Sequence, residues 1–160
     1  MGRVVGIVEL QTIRANLRRE RKKVVFTNGV FDLIHRGHVE YLQRAKALGD
    51  VLVVGVNDDA SVRRIKGSKR PLVNEADRAY LVANLTPVDF ACLFREDTPF
   101  ELISALVPDV LVKGADWKVD DIVGKEIVER AGGTVSAIEV VPGHSTSRII
   151  ERILERFSPS

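Results

Sequence analysis

The sequence has one cysteine and no apolar run of the roughly 20 residues that a membrane-spanning helix needs. The single cysteine, Cys92, excludes an intrachain disulfide, and its apolar surroundings, DFACLF, favour a buried thiol over a nucleophile. The first residues, MGRVVGIVEL, are too short for a signal-peptide core, and Gly6 stands where myristoylation requires Ser or Thr. We therefore expect a cytoplasmic protein without membrane attachment.

Neither sign of charge is in large excess. The 24 Lys and Arg residues oppose 22 Asp and Glu, which gives a formal net charge of +2 and a pI near 8.8. This scattered, mildly basic charge is too weak to indicate nucleic-acid binding, but it suits anionic small molecules. The chain has 160 residues, 45% of them hydrophobic, and no linker or low-complexity segment, which fits one domain with a substantial core. We expect a single domain over 1–160, with 1–21 as an N-terminal helical lead-in and 22–157 as the core.

Five short apolar runs are rich in Val, Ile, Leu and Phe and mostly do not alternate with polar residues. They occupy residues 23–27, 50–56, 89–94, 109–113 and 134–141. Strands that are buried on both faces have this pattern, and helical patterns with capping residues lie between the runs. The alternation predicts a single Rossmann-like α/β domain with a five-stranded parallel sheet and helices on both faces. In such sheets, ligands bind beyond the carboxyl ends of the strands.

Two histidines open the helix that follows the first predicted strand, within TNGVFDLIHRGHVEYL (27–42). His35 and His38 are three residues apart, so they lie on one face of the first helical turn. Such a turn has unpaired N–H groups and the positive end of the helix dipole, which attract phosphate, and Gly37 would let a ligand approach closely. An imidazole pair also suggests zinc, although no third ligand stands nearby at metal spacing. Two capping or surface histidines are the other interpretation.

Three further polar clusters follow other predicted strands. The basic run RRIKGSKRP (63–71) is either a solvated surface loop or a lid that closes over phosphates. Lys113 ends a buried strand, where its charge is costly unless it meets water or an anion. The segment STSR (145–148) opens the last predicted helix, and ordinary capping needs only one of its hydroxyls, so a phosphate cradle is the alternative.

These segments resemble the nucleotidyltransferase superfamily that carries an HxGH motif. The first signature is similar to GVFDLIHRGHVEYLQRAKALGD, and the second is similar to GHSTSRII (143–150). From about residue 22 onward, the ordered segments TNGVFD, VGVNDDASVRRIKGSKRP, DTPFELI, PDVLVKGADW and STSRII resemble the branch that adenylylates D-glycero-D-manno-heptose 1-phosphate. The resemblance implies transfer of AMP from ATP to this sugar phosphate, which gives ADP-heptose, a lipopolysaccharide precursor, and pyrophosphate. It also implies a homodimer, and Mg²⁺ that enters with ATP and is held mainly by phosphates rather than by protein side chains.

The resemblance assigns roles to particular residues. The catalytic residues would be His35, His38 and Lys66. The nucleotide-binding residues would be Asn28, Gly29, Val30, Phe31, Gly37, His38, Arg70, Gly114, Ser145, Thr146, Ser147 and Arg148. The substrate-binding residues would be Asp32, Lys66, Lys113, Asp116 and Trp117. Arg78 is a weaker candidate for contact with phosphate, and His144 matches nothing in the motif, so we interpret it as a loop residue.

Two positions depart from the heptose branch. That branch more often has a second glycine and a tyrosine where this chain has Ala115 and Trp117, and these residues lean toward the cytidylyltransferases that act on glycerol 3-phosphate. A cytidylyltransferase acting on glycerol 3-phosphate or another small alcohol phosphate is therefore the alternative enzyme. A catalytically silent nucleotide-binding module is the alternative from another class.

Overall fold

A computed structural model describes residues 2–115 and 118–158 of the chain. The strands are β1 (Arg3–Val4), β2 (Val24–Gly29), β3 (Val51–Asn57), β4 (Phe90–Phe94), β5 (Val110–Gly114) and β6 (Thr134–Ile138). The helices are α1 (Ile7–Arg19), α2 (Arg36–Lys46), α3 (Asp59–Lys66), α4 (Glu75–Ala83), α5 (Phe100–Leu106), α6 (Lys125–Arg130) and α7 (Thr146–Phe157). Every strand pair is parallel, and the strand order is β1-β4-β3-β2-β5-β6. The predicted single α/β domain of Rossmann-like architecture is confirmed.

The predicted count of five strands is one too low. The additional strand, β1, has only two residues, both exposed, and it pairs with β4 at the edge of the sheet. The backbone N–H of Arg3 donates to the carbonyl of Asp89 at 3.0 Å, and that of Val5 to Ala91 at 2.9 Å. Such a short strand leaves no apolar run in the sequence. It lies within 1–21, where only a helix was expected, and the division of the chain at residue 21 stays a prediction.

The two faces of the sheet are covered by different helices. Val25 belongs to the hydrophobic cluster that includes Leu42 of α2, whereas its neighbour Val24 belongs to the cluster that includes Leu102 of α5. Consecutive side chains of a strand point to opposite faces, so both must be apolar when both faces are covered. This arrangement explains why the predicted strands lack a polar–apolar alternation.

Aspartates before the strands fix how neighbouring strands begin. The carboxylate of Asp109 accepts a hydrogen bond from the N–H of Val24 at 2.7 Å, and that of Asp89 accepts one from Leu52 at 2.7 Å. Each carboxylate satisfies a strand-end N–H that would otherwise be unpaired.

The strand order reverses direction beside β2, which lies between β3 and β5. A crevice forms at such a switch point, because the connections on its two sides lead away from each other. The loop between β2 and α2, which carries the two histidines, therefore opens into it. In the described ranges of the chain, no helix is long and apolar enough to cross a membrane.

Candidate active site

A cleft of about 690 Å³ lies at the carboxyl ends of the strands. It brings together most of the side chains that the sequence singled out: Asn28, Gly29, Val30, Phe31, Asp32, His35, His38, Lys66, Arg70, Lys113, Ser145, Thr146 and Ser147. Gly37, Gly114 and Arg148 are described but do not line the cleft. Asp116 and Trp117 fall outside the described residues, so their predicted roles stay predictions.

Several lining residues were not assigned a role from the sequence, although all but Ile122, Val123 and Val140 lie within the segments that resemble the family. They are Asn57, Ile65, Asp97, Thr98, Pro99, Ile122, Val123, Val140 and His144. The interpretation of His144 as a plain loop residue was incomplete, because its ring centroid lies 6.5 Å from that of His35. Its position just before STSR, at the same edge of the sheet, is the signal that could have placed it there.

The imidazole rings of His35 and His38 stack on each other. Their centroids are 3.8 Å apart, with 21° between the ring planes. His35 is the N-cap residue of α2 in extended conformation, and His38 lies in the first turn, so the helix start itself produces the stack. Phe31 packs against His38 with its ring centroid at 5.2 Å, and it has a left-handed backbone with φ of 50°. A residue with a bulky side chain rarely adopts this conformation, and such strain is found preferentially at functional sites.

Both histidines are held in the neutral form at neutral pH. Burial, and to a lesser degree the nearby His35, lowers the pKa of His38 to about 4. Burial lowers the pKa of His35 as well, with a further contribution from His144. A neutral imidazole keeps one N–H donor and one acceptor nitrogen. The pair can therefore donate hydrogen bonds to a phosphate without carrying a charge in the free protein.

Three buried polar atoms in the cleft have no hydrogen-bond partner among the described residues. They are Nδ1 of His35, Nδ1 of His38 and Oδ1 of Asn28. An unpaired buried polar atom costs about 1–3 kcal/mol, and native structures rarely leave several together. All three line the cleft, Asn28 from the end of β2 and the histidines from the start of α2, which indicates that a ligand supplies the missing partners.

Gly37 makes room for the histidines. A Cβ atom at this position would lie 3.0 Å from Cβ of His144 and 3.1 Å from the ring of His35. Both contacts are tighter than ordinary packing allows. The glycine thus lets His35 and the loop before α7 approach each other, and its proposed contact with nucleotide stays a prediction.

Asp32 clamps the segment that we call the lid, residues 67–73. Its carboxylate is buried, and Oδ1 accepts hydrogen bonds from the backbone N–H groups of Leu72 at 2.8 Å and Val73 at 2.9 Å. Oδ2 accepts from Nε of Arg70 at 2.5 Å. Lys66, the last residue of α3, precedes the lid and also faces the cleft. Asp32 thereby holds Arg70 in the cleft that the histidines also line, with Lys66 just before the lid.

Arg78 is a buried structural residue, and its suggested contact with phosphate is wrong. Its side chain is fully buried and donates to the carbonyls of Val73 at 2.9 Å and Val30 at 2.7 Å, and to Asp59 at 2.8 Å. All three guanidinium nitrogens therefore bind the protein. Arg78 joins the end of the lid to the loop before α2.

The turn STSR uses its hydroxyls unequally. Oγ of Ser145 accepts from the N–H of Arg148 at 3.2 Å and caps α7, while Oγ1 of Thr146 donates to the carbonyl of Leu33 at 3.3 Å. The second bond holds the start of α7 against the loop that carries the histidines. Ser147 also lines the cleft, so the positive end of a second helix faces the same space.

The charges in the cleft suit an anion better than a metal ion. In the described part of the chain, the cleft is lined by three cations, Lys66, Arg70 and Lys113. Of the two carboxylates there, Asp32 already accepts hydrogen bonds at both oxygens, and Asp97 pairs with Arg64 at 2.7 Å. Within 2–115 and 118–158, no group of three or more His, Cys, Asp or Glu side chains is placed to hold a metal. Two helix starts, the stacked histidines and these cations give the cleft the positive character that suits a polyphosphate.

The family model described as Cytidylyltransferase-like matches residues 26–152, and the chain belongs to this family. The protein is therefore a nucleotidyltransferase, as its sequence predicted. The chain is 59% identical over 136 residues to "Bifunctional protein HldE" of Citrifermentans bemidjiense, a match that covers 85% of this chain and 28% of that protein. It is 52% identical over 147 residues to the protein of the same name from Helicobacter pylori, covering 92% and 31%. The chain spans less than a third of the length of these relatives.

Two solved structures resemble the fold. A lipopolysaccharide core biosynthesis protein from Thermoplasma volcanium is 33% identical, with a TM-score of 0.62, over 75% of this chain and 97% of that one. A pantoate–β-alanine ligase from Francisella tularensis is 14% identical, with a TM-score of 0.60, over 100% and 80%. The second likeness concerns the fold alone.

Proposed function

We propose that this nucleotidyltransferase transfers AMP from ATP to D-glycero-D-manno-heptose 1-phosphate and releases pyrophosphate. The observation that carries the proposal is the stacked pair of neutral histidines, with unpaired nitrogens, at a helix start in a cleft that Lys66 and Arg70 also line. Identity above 50% to proteins named HldE supports the heptose substrate, as does the likeness to a lipopolysaccharide core biosynthesis protein from Thermoplasma volcanium.

The reaction needs no general base from the protein. A phosphate oxygen of the sugar 1-phosphate attacks the α-phosphorus of ATP, a new O–P bond forms, and the bond to the β-phosphate oxygen breaks. Pyrophosphate leaves with that electron pair. A phosphate monoester loses its second proton near pH 6, so the nucleophile is largely ionised at neutral pH. Catalysis then consists of positioning and charge stabilisation.

His35 and His38 stabilise the charge that moves toward the leaving pyrophosphate. Their N–H groups are fixed by the helix start and by stacking, so they need little reorganisation during the reaction. Removal of one preorganised donor of this kind typically costs about 10²–10³ in rate. Phosphate beside the rings would also favour the imidazolium form and raise both pKa values.

Lys66 and Arg70 hold the triphosphate from the lid side. Asp32 accepts from Nε of Arg70, and the arginine side chain stays partly exposed. Ser147 contacts the phosphates from the start of α7, and the neighbouring Arg148, which does not line the cleft in the free protein, is proposed to reach them once ATP is bound. Asn28, Gly29, Val30 and Phe31 border the nucleotide after β2. Mg²⁺ neutralises phosphate charge when it enters with ATP; the cationic lining fits a metal carried by the phosphates.

Lys113 binds the phosphate of the sugar substrate. It lies at the carboxyl end of β5, on the opposite side of β2 from the strand that leads to the lid. Asp116 and Trp117 follow it along the chain and are proposed to complete the sugar site. We further propose that the protein acts as a homodimer in the cytoplasm, where ATP is available.

A cytidylyltransferase acting on glycerol 3-phosphate is the second candidate, favoured by Ala115 and Trp117. Pyrophosphate release from ATP or CTP, each with heptose 1-phosphate, glycerol 3-phosphate or ethanolamine phosphate, separates the candidates. We expect release with ATP and heptose 1-phosphate. Release only with CTP and an alcohol phosphate would replace the proposal, and nucleotide binding without release from any pair would indicate a silent module.

A further inference from the structure

A second cavity, of about 370 Å³, opens at the amino ends of β2, β5 and β6, at the opposite end of the strands from the cleft. We call it the basic pocket. Its charged lining consists of one carboxylate and five cations: Asp109, Arg14, Arg18, Arg21, Lys22 and Lys23. None of these residues takes part in the proposed reaction, and a strand of six residues, about 20 Å, separates the two sites.

The single carboxylate is already engaged. Asp109 accepts hydrogen bonds from Nη2 of Arg14 at 2.9 Å and from the N–H of Val24 at 2.7 Å. Arg14 is buried and also donates to the carbonyls of Leu106 and Val107 at the end of α5. Arg14 and Asp109 thus neutralise each other and serve the fold, which leaves the charge of the pocket to the other four residues.

These four cations have no anionic partner among residues 2–115 and 118–158. In the part of the chain that the structure describes, Arg18, Arg21, Lys22 and Lys23 form no ion pair, and all four are exposed. Attraction to the carboxyl end of α1 accounts for Arg18 alone, because the others lie beyond the helix. The N–H of Lys22 donates to the carbonyl of Leu17 at 2.9 Å, and Arg21 has a left-handed φ of 56°. A tight, strained turn therefore gathers like charges around a concavity.

We propose that the basic pocket binds a compact anion with several adjacent negative charges, of the inorganic polyphosphate class. Guanidinium and ammonium groups at close spacing match phosphate oxygens and gain charge-assisted hydrogen bonds. Among the described residues, no aromatic side chain lines the pocket, so it has no aromatic platform for a nucleobase. The volume is near the lower end for small-molecule sites, about 300–1,000 Å³, and suits a short phosphate chain.

Titration of the ¹⁵N-labelled protein with tripolyphosphate tests the site. The amides of Lys22, Gly132 and Thr134 should shift in a saturable way, and sodium chloride at matched ionic strength should not reproduce the shifts. Shifts that do not saturate, or that salt reproduces, would mean diffuse charge screening and would overturn the proposal.

Calorimetry assigns the binding to particular side chains. The double variant Arg18→Gln/Lys22→Gln should bind tripolyphosphate at least about tenfold more weakly at this site, since each removed charge-assisted contact is worth about that factor. Arg152→Gln/Arg156→Gln on α7 removes the same charge from another surface and should bind normally. The cleft variant His35→Asn/Lys66→Gln should retain the pocket site. Equal losses of affinity in the pocket and α7 variants would contradict the site, and so would binding that only the cleft variant abolishes. The proposal would also be overturned if the pocket bound RNA or an acidic peptide but did not bind tripolyphosphate.

Discussion

Asp32 and Arg70, 38 positions apart in the chain, are joined by a hydrogen bond from Nε of Arg70 to Oδ2 of Asp32. The carboxylate is fully buried, whereas the arginine side chain remains 16% exposed toward the cleft. The histidine-bearing loop and the lid are therefore tied to each other through Asp32. This relationship gives Asp32 a positioning role, and the substrate contact that the resemblance implies for it stays a prediction.

The substitution Asp32→Asn should loosen the lid. The amide would present N–H donors to N–H groups that now bind a carboxylate, so we expect the free energy of unfolding to fall by roughly 1–3 kcal/mol. Misplacement of Arg70 should lower kcat/KM for ATP about 10–100-fold. Hydrogen exchange at the amides of Leu72 and Val73 provides the specific measurement, because both should exchange faster. The surface variant Asp120→Asn, which breaks the pair with Lys125, should leave the exchange of both amides unchanged. Unaltered exchange at Leu72 and Val73 in Asp32→Asn would disprove the clamp.

The substitution Gly37→Ala should damage catalysis more than stability. The new methyl group would press on the ring of His35 and on the loop at His144, and the imidazole can rotate away. A displacement of about 1 Å in a catalytic group can cost on the order of 100-fold in rate. Steady-state kinetics of this variant should therefore show a large loss of turnover, whereas its thermal unfolding temperature should change little. Gly6→Ala, where an added Cβ meets nothing within 4 Å, is the matched control.

The stability of the protein should depend on pH through the histidines. The pKa of His38 is lowered to about 4, below the ordinary value of 6.5, so the unfolded chain binds a proton more readily. Its contribution is present above pH 6.5 and is lost as pH falls toward 4, at up to about 1.4 kcal/mol per pH unit. Urea unfolding of the wild type and His38→Asn across this range should show a steeper loss in the wild type. Parallel curves would contradict neutral burial of His38.

Bound ATP should raise the lowered pKa of His38. If the imidazoles donate to phosphate, bound ATP must raise the pKa of His38 above its value of about 4 in the free protein. NMR titration of the ring protons with and without ATP measures this directly. A pKa that ATP leaves unchanged would place the triphosphate away from the histidines.

The sequence predicted the strands that are long enough to show an apolar run, and it missed β1, which has two residues. It also left α3 within a basic segment, although the side chain of Asp58 caps this helix by accepting from the N–H of Ser61. Between β5 and β6, Gly124 adopts a φ of 88° and α6 begins only after it, at Lys125. Local patterns thus located the elements, and their ends depended on caps and backbone angles.

The positions of the candidate site residues followed from the rule for parallel sheets, but the partners of those residues did not. His35, Lys66, Lys113 and Ser145 meet because each lies near a carboxyl end of the sheet. The burial of Arg78 and the clamp at Asp32 arise from contacts between segments far apart in the chain, which no local pattern contains. A single sequence cannot distinguish a surface arginine from one that closes a loop.

The most direct test of the proposed mechanism is the turnover number of His38→Ala for pyrophosphate release from ATP with heptose 1-phosphate. The proposal predicts a folded variant that keeps much of its affinity for ATP and loses about 10²–10³ in turnover, because one preorganised donor is gone. Retained turnover in the folded variant would contradict the role of the stacked histidines, and so would failure of the variant to fold.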